Sequence, residues 1–435
     1  MNKWKNVYNQ KLLSADDIAK QIESNTICST VIGAGEPVAI PEAIARRAID
    51  ENMYGIIQLT SLSVTNHSLW ENADLNGKFD HISLFIGSET VRKAVWNHRI
   101  EYIPVYYHKM PAYYENYLKP DVFYATVSPM DEHGYFSFGT SGDCSMALKR
   151  TAKRVFLEVN ENMPRTHGNC FMHINEVDAI CEYHRPIPEL PSKVISYTDQ
   201  IIGNNIAELV PNGATIQLGI GGIPNAAAVA LKDKHELGIH SELFTESMVY
   251  LIEQGIVTNS KKSIHEGKSI ATFALGSKRM YDFINDNIGI EFHPVDYVND
   301  PYVIGMNDNL ISINSCLEVD LFGQVSSESL GSRQYTGVGG QVDFVRGAAN
   351  SKGGKSIIAI QSTAKNETIS KIKPMLTAGS IVTTSRNEVD YIVTEYGVAK
   401  LKSKSISVRV KELINIAHPK FRDELTFESK KMNLI

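Results

Sequence analysis

Short apolar runs recur along the chain, and stretches with apolar residues at helical spacing separate them. This alternation predicts strands joined by helices, and so mostly parallel sheets with helices on their faces. Residues 11–24 illustrate the helical pattern: Ser14 is placed to cap, acidic residues fill the first turn, and Ile18 and Ile22 recur on one face. A strand over Thr26–Ile32 then runs into Gly33-Ala34-Gly35-Glu36-Pro37, and a helix is predicted over Pro41–Asn52. The same order returns at Ala214–Leu218, where an apolar strand meets Gly219-Ile220-Gly221-Gly222 and a helix opens near Pro224. A repeated strand, glycine turn, proline and helix indicates an internal duplication.

A second pair of segments supports it. Asp121–Gly139 and Leu310–Ser327 each read as a buried strand, an acidic turn with glycine, and a returning strand that carries serine. Three prolines within Tyr183–Ser192 cannot continue a helix or a central strand, which puts the join there. The expected fold class is therefore α/β: two tandem, related, open α/β domains over 1–188 and 189–435, with the active site at their interface. In the second half, Gly238–Phe244 reads as a strand carrying Glu242 towards its end. Thr245–Gly255 reads as a helix, and Gly337–Gly340 as a further glycine turn.

Composition narrows the function classes. A net charge of -6 with both signs interspersed argues against a dedicated nucleic-acid surface. No apolar run approaches bilayer length, and the first residues lack a signal-peptide core, so a cytoplasmic location is expected. Five widely spaced cysteines form no Cys-x-x-Cys pair. The histidines, His133, His240 and His293 among them, lack the spacing of a helical metal site, so no metal is expected.

The chemistry concentrates at the second glycine-bearing repeat. Glycines at a strand-to-helix turn let backbone N–H groups approach an anion, and the helix N-terminus adds partial positive charge. Ligands of open α/β sheets sit outside the carboxyl ends of the strands, which places Glu242 facing that turn. Glu246 suits a solvated first-turn acid, and Glu36 a turn acid. Lys261, Lys262, Lys268, Arg333 and Arg346 are the basic residues nearest these segments.

Several segments together resemble the acetyl-CoA hydrolase/transferase family of class I coenzyme A-transferases. They are Leu218–Pro224, Gly238–Glu242, Val319–Gln324, Gly337–Phe344, Val393–Ala399 and Ile414–Pro419, with Val127–Gly134 in the first half. Within the family, the chain resembles the branches acting on 4-hydroxybutyrate and on butyryl-CoA with acetate. The resemblance implies a nucleophilic glutamate at Glu242 and coenzyme A binding by Gly219, Ile220, Gly221, Gly222 and Ile223. It also implies backbone donors from Gly337, Gly339 and Gly340, with Asn314 as a further contact. Relatives often carry Asp-Gly where this chain has Glu246-Ser247, a change that bears on the acyl pocket rather than the chemistry.

The implied reaction is ping-pong transfer of coenzyme A between short-chain carboxylates such as acetate, butyrate or 4-hydroxybutyrate, through a glutamyl-CoA thioester. Coenzyme A is then a co-substrate and no permanently bound cofactor is expected. The partners are an acyl-CoA and carboxylic acids, with neither nucleic acid nor membrane, in a homodimer or homotetramer. Three other readings remain open from sequence: an acyl-CoA hydrolase on the same scaffold, a dinucleotide- or sugar-phosphate-binding module, and a non-catalytic subunit of a larger complex.

Overall fold

A computed structural model describes residues 3–65, 67–191 and 193–435, and Ser192, the last residue of the expected join, lies outside them. The chain divides into two units, Met1–Pro191 with Ile270–Val298, and Ser192–Ser269 with Asn299–Ile435. The first unit thus takes in a segment from beyond the proline-rich join. Strand pairing explains this: Ile290–Phe292 hydrogen bonds in parallel with His167–Gly168, and the Gly142 amide donates to the Thr272 carbonyl.

The first unit is built on a seven-stranded sheet. Its strands are β1 (Ile27–Thr30), β2 (Ile56–Thr60), β3 (Phe79–Ser83), β4 (Ile100–Tyr102), β5 (Val122–Val127), β6 (Arg154–Val159) and β7 (Ala179–Glu182). They lie in the order β7-β6-β5-β1-β2-β3-β4, and every pairing is parallel. From β1 the chain winds outward one way to β4, then returns and winds the other way to β7. The strand order therefore reverses beside β1, whose carboxyl end leads into Gly33–Gly35 and helix α1 (Ala39–Asp50). Every residue of β5 is buried, as a strand covered on both faces requires.

The second unit repeats the plan with six strands. They are β8 (Thr215–Leu218), β9 (Gly238–Ile239), β10 (Leu310–Ser315), β11 (Lys355–Ala359), β12 (Tyr391–Thr394) and β13 (Gly397–Lys400), in the order β9-β8-β10-β11-β12-β13. All pair in parallel except the β12–β13 hairpin. The reversal now falls at β8, flanked by β9 and β10, and the glycine cluster 219–222 follows it. Helix α2 (Tyr197–Leu209) precedes β8, and α3 (Gly222–Ala230) leaves the glycine cluster. The core against α6 (Ile406–Asn415) and α7 (Pro419–Lys431) contains Val319, Ile358, Ile392, Leu413 and Leu425.

Three local readings change. The helix expected over 11–24 is confined to Ala15–Ala19, although Ser14 does cap it, accepting from the Asp17 amide at 3.0 Å. The strand returning after β5, Tyr135–Ser137, pairs antiparallel with Phe171–His173 rather than with β5. The strand expected over Gly238–Phe244 is two strands, Gly238–Ile239 and Leu243–Phe244, with Glu242 in the bend between them. Ser241 accounts for the break: its hydroxyl bonds the carbonyls of Leu218 and Leu243 at 3.3 and 3.0 Å.

Candidate active site

Glu242 lies just past the carboxyl end of β9, beside the strand at which the sheet order reverses. The Ser241–Leu218 bond ties this bend to the last residue before the first glycine cluster. Helix α4 (Glu246–Glu253) begins four residues later and is ended by Gly255, whose φ of 70° needs no Cβ.

Two donors reach the Glu242 carboxylate. Asn299 Nδ2 donates to Oε2 at 2.8 Å, and the Gly340 amide donates to the same carboxylate. Gly340 caps α5 (Gln341–Asn350), so this amide belongs to the positive end of a helix. A Cβ on Gly340 would overlap both Oε2 of Glu242 and Nδ2 of Asn299. Only glycine allows the carboxylate this close to the backbone.

Burial pushes the Glu242 pKa up to about 7. The Asn299 and Gly340 hydrogen bonds work against that rise, while the nearby Asp343 carboxylate adds to it. Asp343 is fully buried in the first turn of α5, and Asn299 Nδ2 also approaches its Oδ2 at 3.5 Å. The result is a carboxylate held by two donors, poorly solvated, with its pKa raised above the usual value. Both donors lie where negative charge on Oε2 would be stabilised.

The residues expected from sequence divide in two. Gly340 touches Glu242 directly, and Gly337 and Gly339 (φ 57°) belong to the turn that presents it. In the first cluster Gly221 has φ 132° and ψ −179°, a conformation that side chains rarely adopt, and Ile220 is half exposed. This cluster joins the site through Ser241 and Leu218. Asn314 is engaged elsewhere: its Nδ2 donates to Gln217 Oε1 at 3.2 Å and to Ser312 Oγ at 2.9 Å.

Asn299 and Asp343 were not singled out from sequence. Asp343 had a signal, since it stands three residues after Gly340 and so shares its face at the start of a helix. Asn299 lies between two short helices, in a stretch with no glycine or strand pattern to mark it. His240 is fully buried and shares a 3.4 Å contact with the Asn307 amide, so it braces packing behind β9.

Other charged residues have structural partners. Lys262 is buried and donates to the carbonyls of Ile239 and Lys268 at 2.8 and 2.7 Å. Arg346 pairs with Glu388 at 2.5 Å. Glu318 and Asp320 are buried acceptors: Glu318 for Thr377 and Ser380, Asp320 for Phe322 and Gln324. Tyr396 packs edge-on against His418, with the Arg422 guanidinium over its ring.

Comparison with known proteins identifies the family. The N-terminal domain of acetyl-CoA hydrolase/transferase matches residues 1–191, and its C-terminal domain matches residues 276–429. The chain is 45% identical to the 4-hydroxybutyrate coenzyme A transferase of Clostridium kluyveri, over 98% of this chain and 99% of that protein. It is 46% identical to the succinyl-CoA:cyclohexane-1-carboxylate CoA transferase of Geobacter metallireducens, over 98% and 97%. Among solved structures, RipA from Yersinia pestis superposes with a TM-score of 0.95 at 40% identity, covering both chains completely. The chain belongs to the acetyl-CoA hydrolase/transferase family.

Proposed function

We propose that this protein is a CoA-transferase that moves coenzyme A between short-chain carboxylates, with Glu242 as the nucleophile. The observation that carries the proposal is the half-buried Glu242 carboxylate held by the Gly340 amide and Asn299. The relatives at 45% and 46% identity bear transferase names, which supports transfer over hydrolysis.

In the first step the Glu242 carboxylate attacks the thioester carbonyl of an acyl-CoA. The C–S bond breaks, leaving a mixed anhydride and the CoA thiolate. That thiolate attacks Cδ of Glu242 and expels the first carboxylate, which leaves a glutamyl-CoA thioester. A second carboxylate then attacks Cδ, and the same two steps in reverse release its CoA ester and regenerate Glu242. Attack at Cδ places negative charge on a Glu242 oxygen, the atom that Asn299 and Gly340 already address. A raised pKa marks a carboxylate poorly stabilised as an anion, which leaves less solvation to strip before it attacks.

We take the glycine cluster 219–223 as the cradle for the CoA ester. Acetate, butyrate and 4-hydroxybutyrate are the acyl classes proposed, in a cytoplasmic homodimer or homotetramer.

The test is covalent. The protein is incubated with butyryl-CoA, reduced with borohydride and digested, and the modified peptide is mapped. Modification at Glu242 is expected, and modification at any other residue refutes the assignment. A parallel assay with and without acetate separates the activities, since CoA-ester formation that requires acetate is transfer, while acetate-independent thiol release is hydrolysis.

A further inference from the structure

The start of helix α3 is set by a side chain outside the glycine cluster. On α2, Asp199 and Gly203 stand four residues apart and share a face; on α3, so do Gly222 and Ala226. The two faces meet without intervening side chains. A Cβ on Gly203 would come within 2.7 Å of the Ala226 carbonyl group, and a Cβ on Gly222 within 2.5 Å of Asp199 Oδ2. One helix therefore forms a rail for the other, with backbone against backbone at one end and a carboxylate under Gly222 at the other.

That carboxylate is fixed on both oxygens. Oδ2 accepts from the Ser196 amide and hydroxyl at 3.1 and 2.8 Å, closing a capping box at the start of α2. Oδ1 accepts from Gln361 Nε2 at 2.9 Å, just past the carboxyl end of β11. Asp199 is 6% exposed. It links the start of α2, the start of α3 and the loop after β11, all three at the end of the sheet that carries Glu242.

We propose that Asp199 is a positioning residue for the CoA-ester cradle, setting the height at which the Gly219–Gly222 amides stand above β8. The inference rests on the reading of that cluster as the cradle. It contacts no reacting atom, so its loss weakens ground-state and transition-state binding alike. That pattern raises KM and spares kcat.

Three variants test it: Asp199→Ala, Gly222→Ala, and the two combined. Asp199→Ala is expected to raise KM for butyryl-CoA about tenfold, with kcat within about twofold. Gly222→Ala drives a methyl into the fixed carboxylate and displaces the turn, so kcat/KM is expected to fall about a hundredfold. Removing the carboxylate gives that methyl room, and the double variant is expected to recover about tenfold over Gly222→Ala alone. An unchanged KM in folded Asp199→Ala, or a double variant no better than Gly222→Ala, overturns the proposal. Borohydride labelling of Glu242 is read in every variant. Wild-type protein that fails to label refutes the proposed function, whereas intact labelling with unchanged KM refutes only the role of Asp199.

Discussion

Each unit places a glutamate near the strand at which its sheet order reverses, Glu36 after β1 itself and Glu242 after β9 beside β8, and the two are treated in opposite ways. In the first unit Glu36 is 2% exposed and its oxygens accept from the Ser63 hydroxyl, the Val64 and Thr65 amides and the Thr65 hydroxyl, at 2.6 to 3.2 Å. In the second, Glu242 has Asn299 and Gly340 as donors, with a second carboxylate nearby, and burial lifts its pKa to about 7. A carboxylate enclosed by donors has its charge spread and its lone pairs engaged, and it serves as a clamp. One that is short of donors and poorly solvated keeps a lone pair for attack. The number of donors, rather than the residue type, separates the two roles.

The largest test of this contrast exchanges Glu242 for its amide. Glu242→Gln is expected to lose at least ~10⁴ in kcat, because no anhydride or thioester can form. A loss below about tenfold would remove Glu242 from the chemistry. The same variant has a second readout in stability. An acid whose folded pKa lies above its usual value of 4.5 costs the folded state as the unfolded chain ionises. Wild-type protein is therefore expected to lose stability relative to Glu242→Gln as pH rises from about 4.5 to about 7, with the difference constant above that. Melting curves across this range check the sign.

Gly340→Ala comes next. Its methyl would displace both the Glu242 carboxylate and the Asn299 amide. A loss of about 10²–10³ in kcat is expected, the usual cost of spoiling one backbone oxyanion donor. Glu36→Ala should behave in the opposite manner. It leaves several buried donors unpaired and is expected to lower stability by about 2–4 kcal/mol, while the folded fraction still labels at Glu242. If Glu36→Ala instead abolished labelling at unchanged stability, the clamp reading would fail.

The contrast also explains what could be read from sequence. Both glycine turns, the strands before them and Glu242 itself were visible, because glycine clusters after apolar strands are local signals. The donors to Glu242 come from residues 57 and 98 positions away, the differences from 242 to Asn299 and Gly340, and only the fold brings them together. Gly340 follows from the family resemblance that Gly337–Phe344 carries, whereas nothing periodic around Asn299 marks it. Glu36 reads as a simple turn acid from sequence because its clamp, Ser63 to Thr65, sits after the neighbouring strand β2. The broken strand at Glu242 was hidden for a related reason, since the bonds that break it run from a serine to the carbonyls of Leu218 and Leu243.

The smallest expected effect is the most specific to the Glu242 environment. If the attacking group is the Glu242 carboxylate, kcat/KM for acyl-CoA rises with pH as that acid ionises, with a midpoint near 7 in the free enzyme. Asp343 raises this pKa by like charge, and Asn299 lowers it by donating to the ionised form. Asp343→Asn should therefore move the acid limb to lower pH, and Asn299→Ala should move it to higher pH. The two shifts differ in sign, so general loosening of the site cannot mimic both. Asn299→Ala should also lower the plateau, because it removes an oxyanion donor as well as a charge-stabilising bond. Asp343→Asn should leave the plateau nearly intact. Profiles of kcat/KM from pH 5 to 9, on protein whose melting temperature is unchanged, decide the point: two shifts in the same direction would show that the limb belongs to some other group.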